Sequence, residues 1–233
     1  MRHLRIIILS AILSMVLAPA RAQIGNLRGT FSMGVNGGAS LSKMDIVPSL
    51  RQQFNVGKTF GVTLRYSSEK YFFFACSAQL ECNYIERGWK ELIEDGSGNQ
   101  YRHTANYVEI PFMARLALGR EFYGVQGFLE IGPQLGFLLS DREEKYGTEP
   151  WDISNRPASS KLTYGKMFEN DFEYGIVGGA GIELKTRIGG FFLEGRYYFG
   201  LSDVYHNTKV ESFARSANTS IVIKTGWIID LVR

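Results

Sequence analysis

The sequence predicts an all-β chain: an eight-stranded antiparallel up-and-down transmembrane β-barrel with four long outer loops and three short periplasmic turns. Three observations predict it. Eight segments after residue 28 alternate apolar and polar residues, the period of two that a half-apolar strand requires. The gaps between them run long, short, long, short, long, short, long, which is the loop asymmetry of outer-membrane barrels. Finally, 45% of the residues are apolar and 26 are glycine, yet nothing past the first 22 residues is apolar for the length of a spanning helix. A bilayer protein without spanning helices has one other solution, a closed barrel.

The first strand is expected over Thr30 to Leu41, where Phe31, Met33 and Val35 alternate with Ser32, Gly34 and Asn36. After a loop to Val56, the second runs Gly57 to Ser67, with Phe60, Val62, Leu64 and Tyr66 opposite Gly61, Thr63 and Arg65. A turn at Ser68-Glu69-Lys70 leads to the third, Tyr71 to Ile85. The loop from Glu86 to His103 carries the turn cluster Asp95-Gly96-Ser97-Gly98-Asn99. The fourth strand is expected over Thr104 to Leu118, the fifth over Phe122 to Leu139, with Gly119-Arg120-Glu121 between them. The longest loop, Ser140 to Asn170, is charged and contains Trp151. The sixth strand, Asp171 to Lys185, the seventh, Phe191 to Leu201, and the eighth, Asn218 to Val232, complete the count. An even number puts both chain ends on the short-turn side. Pro111 and Pro133 cannot donate to a ladder, so each is expected to mark a bulge.

Residues 1–22 read as a signal peptide and 23–233 as the barrel domain. Arg2, His3 and Arg5 precede a 13-residue apolar core, Ile6 to Ala18, and Ala20-Arg21-Ala22 offers a cleavage site. Removing Arg2, Arg5 and Arg21 leaves 23 basic against 23 acidic residues, so charge gives no reason to expect a nucleic-acid partner. Cys76 and Cys82 lie on one strand, their Cα atoms about 20 Å apart. A disulfide tolerates about 7 Å, so they read as small lipid-facing apolar residues.

The polar parity decides which side is inside. A soluble cup shows charge to water, whereas a membrane barrel hides it in the lumen. Arg65, Glu81, Glu109, Arg115, Glu130, Glu194, Arg196 and Lys224 share that parity: four acids and four bases. Balanced signs suit a closed lumen, where each buried charge needs a partner. These eight are the expected lumen network, with Glu109–Arg115 and Glu194–Arg196 as candidate pairs.

Five stretches resemble the PorT-like outer-membrane β-barrel family of Gram-negative bacteria: Asn83-Tyr84-Ile85-Glu86-Arg87-Gly88-Trp89, Tyr107-Val108-Glu109-Ile110-Pro111-Phe112, Gly132-Pro133-Gln134-Leu135-Gly136, Gly178-Gly179-Ala180-Gly181-Ile182-Glu183, and Glu194-Gly195-Arg196-Tyr197-Tyr198-Phe199-Gly200-Leu201. The resemblance implies an eight-stranded barrel in the outer membrane and, from the family's eponymous member, a part in protein secretion. One departure is the ending Leu231-Val232-Arg233, where such barrels often carry a terminal aromatic.

No enzyme is expected. P-loop, zinc-ligand, GxSxG and nucleotide-binding patterns are absent. His103 and His206 fall on outer loops, and Ser202 and Asp203 near His206 are the one hydrolase-like constellation. No catalytic, cofactor or metal residue is assigned. The expected function is a structural or scaffold barrel contacting outer-membrane lipid, with secretion-complex proteins as possible partners. The alternative is a barrel whose long outer loops bind a surface ligand, with Trp89, Trp151 and Tyr146 as stacking platforms.

Overall fold

The computed structural model describes residues 29–68, 73–94, 96–120, 123–147, 151, 153, 156–206 and 213–232. The expected leader 1–22 lies outside them, as do parts of two expected turns (69–70 and 121), the first residues of the expected third and fifth strands (71–72 and 122) and Asp95 of the turn cluster. Eight strands are present: β1 (Thr30–Val47), β2 (Gln52–Ser67), β3 (Phe74–Glu91), β4 (Gln100–Gly119), β5 (Gly124–Tyr146), β6 (Phe172–Thr186), β7 (Gly189–Gly200) and β8 (Arg215–Val232). One helical turn, α1 (Ala158–Lys161), interrupts the longest loop. Each strand pairs antiparallel with its chain neighbours, and β1 closes on β8.

Alternation puts one set of side chains outside and the other in the lumen. On β4 the outward residues Phe112, Leu116 and Leu118 are exposed, while Glu109, Met113, Arg115 and Ala117 are buried between them. From Val108 to Leu118 the outward row is apolar, about 33 Å along the strand. At a tilt of about 40° this is about 25 Å of height, the thickness of an outer-membrane apolar band. Cys76 and Cys82 are free and exposed on this band.

The strands rise further than the apolar alternation marks. β1 continues to Val47 instead of Leu41, β2 starts at Gln52, β3 runs to Glu91, β4 starts at Gln100, and β5 reaches Tyr146. Glu86, Arg87, Trp89 and His103 are therefore strand residues, not loop residues. The sequence's long gaps are partly sheet that projects beyond the membrane.

The prolines do not mark bulges. Pro111 pairs with Gln134 and Pro133 with Ile176 in continuous register. The register shifts fall at Phe31/Ser32, Phe54/Thr59 and Asn106/Tyr107. Tight coiling relies on glycine instead: a Cβ on Gly132 would lie 1.9 Å from the Phe112 carbonyl oxygen, and one on Gly38 2.0 Å from that of Ile223.

Candidate functional site

All eight residues of the expected network are buried, the most exposed of them at 4%. Strand parity places them, and they sort into three tiers along the barrel axis.

The lowest tier joins β2, β4 and β6. Arg65 Nη1 and Arg115 Nη2 reach the same oxygen, Glu183 Oε2, at 2.7 and 2.6 Å. Arg65 Nε donates to Gln79 Oε1 at 2.7 Å. The Arg115 guanidinium lies 3.8 Å from the centre of the Phe128 ring, a cation–π contact.

The middle tier gathers β3, β5, β7 and β8 around Arg196. Its Nη1 and Nη2 hold Glu81 in a fork at 2.8 and 2.7 Å. Arg196 Nε lies 2.6 Å from Glu130, and Nη2 lies 2.7 Å from Glu194. Lys224 Nζ adds 2.8 Å to Glu81 and 3.8 Å to Glu194.

The upper tier centres on Arg87. Nη2 reaches Glu109 at 2.6 Å, and Nη1 pairs with Glu173. Gln134 and Asn218 donate to those carboxylates at 2.9 and 2.7 Å. The guanidinium packs 4.2 Å from the Tyr198 ring centre. Gln79 ties the lowest tier to Glu81, and Asn83 bonds Glu81 at 2.9 Å while reaching up to Glu109 at 3.5 Å.

The expected pair Glu109–Arg115 does not form, because the two belong to different tiers. Glu194–Arg196 does form. Arg87, Glu173 and Glu183 join the network beyond the eight expected residues. The two glutamates share the polar parity of their strand, whereas Arg87 falls in a segment whose apolar alternation predicts a loop. Such pairs are not a net source of stability, because each ion loses its hydration. Their geometric effect is plain: interlocked side chains fill the cross-section from Arg65 to Arg87. Below them the lumen opens to the periplasmic side as a polar cup of about 1130 Å³, lined by Ser32, Ser77, Lys185 and Asp230 among others.

Above Arg87 the chemistry inverts. On the projecting parts of β1, β3 and β4 the inward positions include Met44, Ile46, Trp89 and Tyr101, while Lys43, Asp45, Lys90 and Arg102 face outward. Met44, Ile46, Ile85, Trp89, Tyr101, Tyr107, Phe168, Val204, Tyr205 and Phe213 form one buried cluster. Loop residues 163–170 and 204–205 are drawn over it by strand-borne acceptors. Phe168 N donates to Asp141 Oδ2 at 2.8 Å, Tyr164 Oη to Glu91 Oε2 at 2.5 Å, and Gly165 N to Glu143 Oε1 at 2.5 Å. These residues form an outer head above the Arg87 tier.

Of the expected stacking platforms, Trp89 is fully buried, packed 4.9 Å from the Tyr101 ring. Trp151 is half-buried against Tyr101 and Tyr164, and Tyr146 is exposed. His103 is also buried, stacked 4.6 Å from Phe168, with Nε2 3.2 Å from Asp141. Burial lowers its pKa below the ordinary value, outweighing the opposite pull of Asp141 and Glu143. Glu143, held by Gly165 N, Tyr101 and Lys145, titrates below the ordinary carboxylate range despite its partial burial.

Ser202, Asp203 and His206 make polar contacts with other residues. Asp203 Oδ1 accepts from Ser216 N, Ser202 Oγ binds Tyr174, and His206 N donates to Glu169. Among the described residues no three His, Cys, Asp or Glu side chains are grouped to hold a metal. A groove of about 510 Å³ opens on the outer head between the β1–β2 loop at Leu50 and Arg51, the β3–β4 loop at Ile93 and Glu94, and the β5–β6 loop at Arg156 and Pro157.

A family model described as outer membrane protein beta-barrel domain matches residues 21–206. Comparison with curated proteins finds no match. Among solved structures the chain is similar to OprG from Pseudomonas aeruginosa, with 10% identity, 88% of this chain and 98% of that chain covered, and a TM-score of 0.45. It is also similar to Neisserial surface protein A, with 10% identity, 86% and 97% coverage, and a TM-score of 0.41. For Ail, the attachment invasion locus protein of Yersinia pestis, the values are 11%, 85%, 98% and 0.37.

Proposed function

Because the chain belongs to the outer membrane protein β-barrel domain family and resides in the outer membrane, we propose that it is a sealed scaffold barrel whose working surface is the outer head. The filled lumen carries this reading. Three ion-paired tiers and an aromatic cap occupy the space a diffusion pore would need. The protein is then an anchor that holds a folded platform at a fixed height above the membrane, with no catalytic step of its own.

The groove at Leu50, Arg51, Ile93 and Glu94 is the place for a surface ligand, offering apolar contact beside both signs of charge. The resemblance to the PorT-like family supports a finer reading, a place in a protein-secretion machine. The test compares gently solubilised outer membranes from wild type and a Leu50→Asp/Ile93→Asp variant by mass spectrometry of co-purifying proteins. Loss of a stoichiometric partner in the variant, with the folded gel band intact, is the expected result. A secretion component as that partner would carry the finer reading, and a lone wild-type barrel would count against it. Porin-like conductance of the reconstituted protein in a planar bilayer would overturn the sealed scaffold itself.

A further inference from the structure

The periplasmic cup carries a surplus of positive charge. Among the described residues its wall holds Arg65, Arg115, Lys185 and Arg187 against Glu183 and Asp230. Ion pairs within the cup cannot remove that surplus, because four cations face two acids. Both acids are already engaged. Glu183 Oε2 takes Arg65 and Arg115 together, and Asp230 Oδ1 accepts from Ser32 Oγ at 2.8 Å. Glu130 stands opposite Arg115 on the β4–β5 ladder, but it lies 2.6 Å from Arg196 in the tier above.

The two arginines at the inner end of the cup also hold donors in reserve. They are 3% and 2% exposed, and Arg65 Nη2 and Arg115 Nε are buried without a hydrogen-bond partner. A buried donor left unmet is unfavourable, most of all on a charged group. The Phe128 ring centre lies 3.8 Å from the Arg115 guanidinium, and that of Phe192 6.0 Å from the Arg65 guanidinium. A ring on the guanidinium face leaves the N–H edge for an acceptor in its plane. Ser67 and Ser77, joined at 2.8 Å, add hydroxyls to the same wall. A recess lined with an excess of one sign concentrates ions of the other.

These features select the ligand. A surplus of two charges matches a dianion. A group with three free oxygens can meet two guanidinium edges and a hydroxyl at once. Phosphate has both properties, whereas a carboxylate has one charge and two oxygens. We propose that the periplasmic cup binds a small dianionic phosphate, free or as a monoester, with Arg65 and Arg115 as its contacts at the inner end and Lys185 and Arg187 as the charges that draw it in. The cup volume of about 1130 Å³ admits either form. The site lies at the other end of the barrel from the outer-head groove and does not depend on it. With the ion-paired tiers filling the lumen above, the ligand enters and leaves from the periplasmic side.

The test is calorimetric titration of the full folded barrel in a phosphate-free detergent at low ionic strength, with inorganic phosphate, glycerol phosphate and acetate as probes. Saturable binding of phosphate is expected, with acetate weaker by about tenfold or more. Tighter binding of inorganic phosphate supports the site as one for the free ion, and tighter binding of glycerol phosphate supports it as one for an ester. Lys185→Gln/Arg187→Gln leaves the three tiers in place and brings the wall to two cations against two acids. It is expected to weaken phosphate binding by about tenfold or more. Arg115→Lys keeps the charge beside Glu183 but loses the planar N–H edge, and is expected to weaken binding comparably. Absence of saturable binding of either phosphate by wild type would overturn the proposal. So would acetate binding as tightly as phosphate, or unchanged phosphate affinity in a folded Lys185→Gln/Arg187→Gln variant.

Discussion

The membrane half and the outer half of this barrel share strands but are built inside out relative to each other. On β4, Glu109 and Arg115 face in while Val108 and Phe112 face out; a few residues higher, Tyr101 and Ala105 face in while Arg102 and Asn106 face out. The backbone does not change between the two. The solvent does. Hydrocarbon outside leaves the polar set only the lumen, and water outside returns the apolar set to the core. One half is filled by interlocked ion pairs, the other by packed aromatics such as Phe168 on His103 and Tyr205 beside Phe213.

The sharpest way to break the contrast is to remove a central cation. Arg196→Met strands Glu81, Glu130 and Glu194 around Lys224 alone. Breaking a buried pair costs about 3–5 kcal/mol, so the heat-resistant folded band on gels is expected to vanish at a markedly lower temperature. Retention of that band would mean the tiers do not lock the membrane half.

A smaller effect tests the outward faces. Ile131→Lys places a charge near the middle of the lipid-facing row, with an expected cost of about 2–4 kcal/mol. Arg142→Lys, on the outward surface of the projecting part of the same strand, is expected to stay within about 0.5 kcal/mol. Equal costs in urea titrations of the reconstituted variants would erase the boundary drawn between the halves.

The smallest effect distinguishes the halves by pH. His103 has a lowered folded pKa, so below its ordinary value near 6.5 the unfolded head binds more protons than the folded one. Stability from this group is full above that value and is lost as pH falls from there through the folded pKa. Glu143, also lowered, loses its contribution only below the ordinary carboxylate value of 4.5. Acidification from about pH 7.5 to about 5.5 should raise proteolysis of loop 156–171 without altering the folded gel band. His103→Phe should remove this first step and leave the one below 4.5.

The same inversion explains what the sequence reading could see. Period-two alternation with apolar residues outside identified all eight strands and aimed Arg65, Glu81 and Arg196 into the lumen. It lost the strands where that phase reverses: at Tyr84-Ile85 on β3 and Tyr107-Val108 on β4, adjacent apolar residues face opposite sides. Past those points the alternation continues with its sign changed, so Arg87, Trp89 and His103 looked like loop. Glu86-Arg87-Gly88-Trp89-Lys90, reread as polar-out with apolar or paired-charge residues in, is ordinary strand. The pairings within the lumen were not legible, because which glutamate meets which arginine depends on stagger between strands that are distant in the chain.

The closure of β1 on β8 sets a condition on biogenesis. Ser32 bonds Asp230 across a separation of 198 residues, and Lys224 meets Glu81 across 143. A chain still lacking its last strand has nothing to place against the free side of β1 or β7, and Glu81 lacks one of its two cations. Such an intermediate has two open edges, which invite pairing with other chains. Non-local closure is also slow to find. The seam therefore makes completion of the ring an all-or-none event that cannot precede delivery of the final eighteen residues of strand, and any factor that shields β1 until then acts on the step that decides between insertion and aggregation.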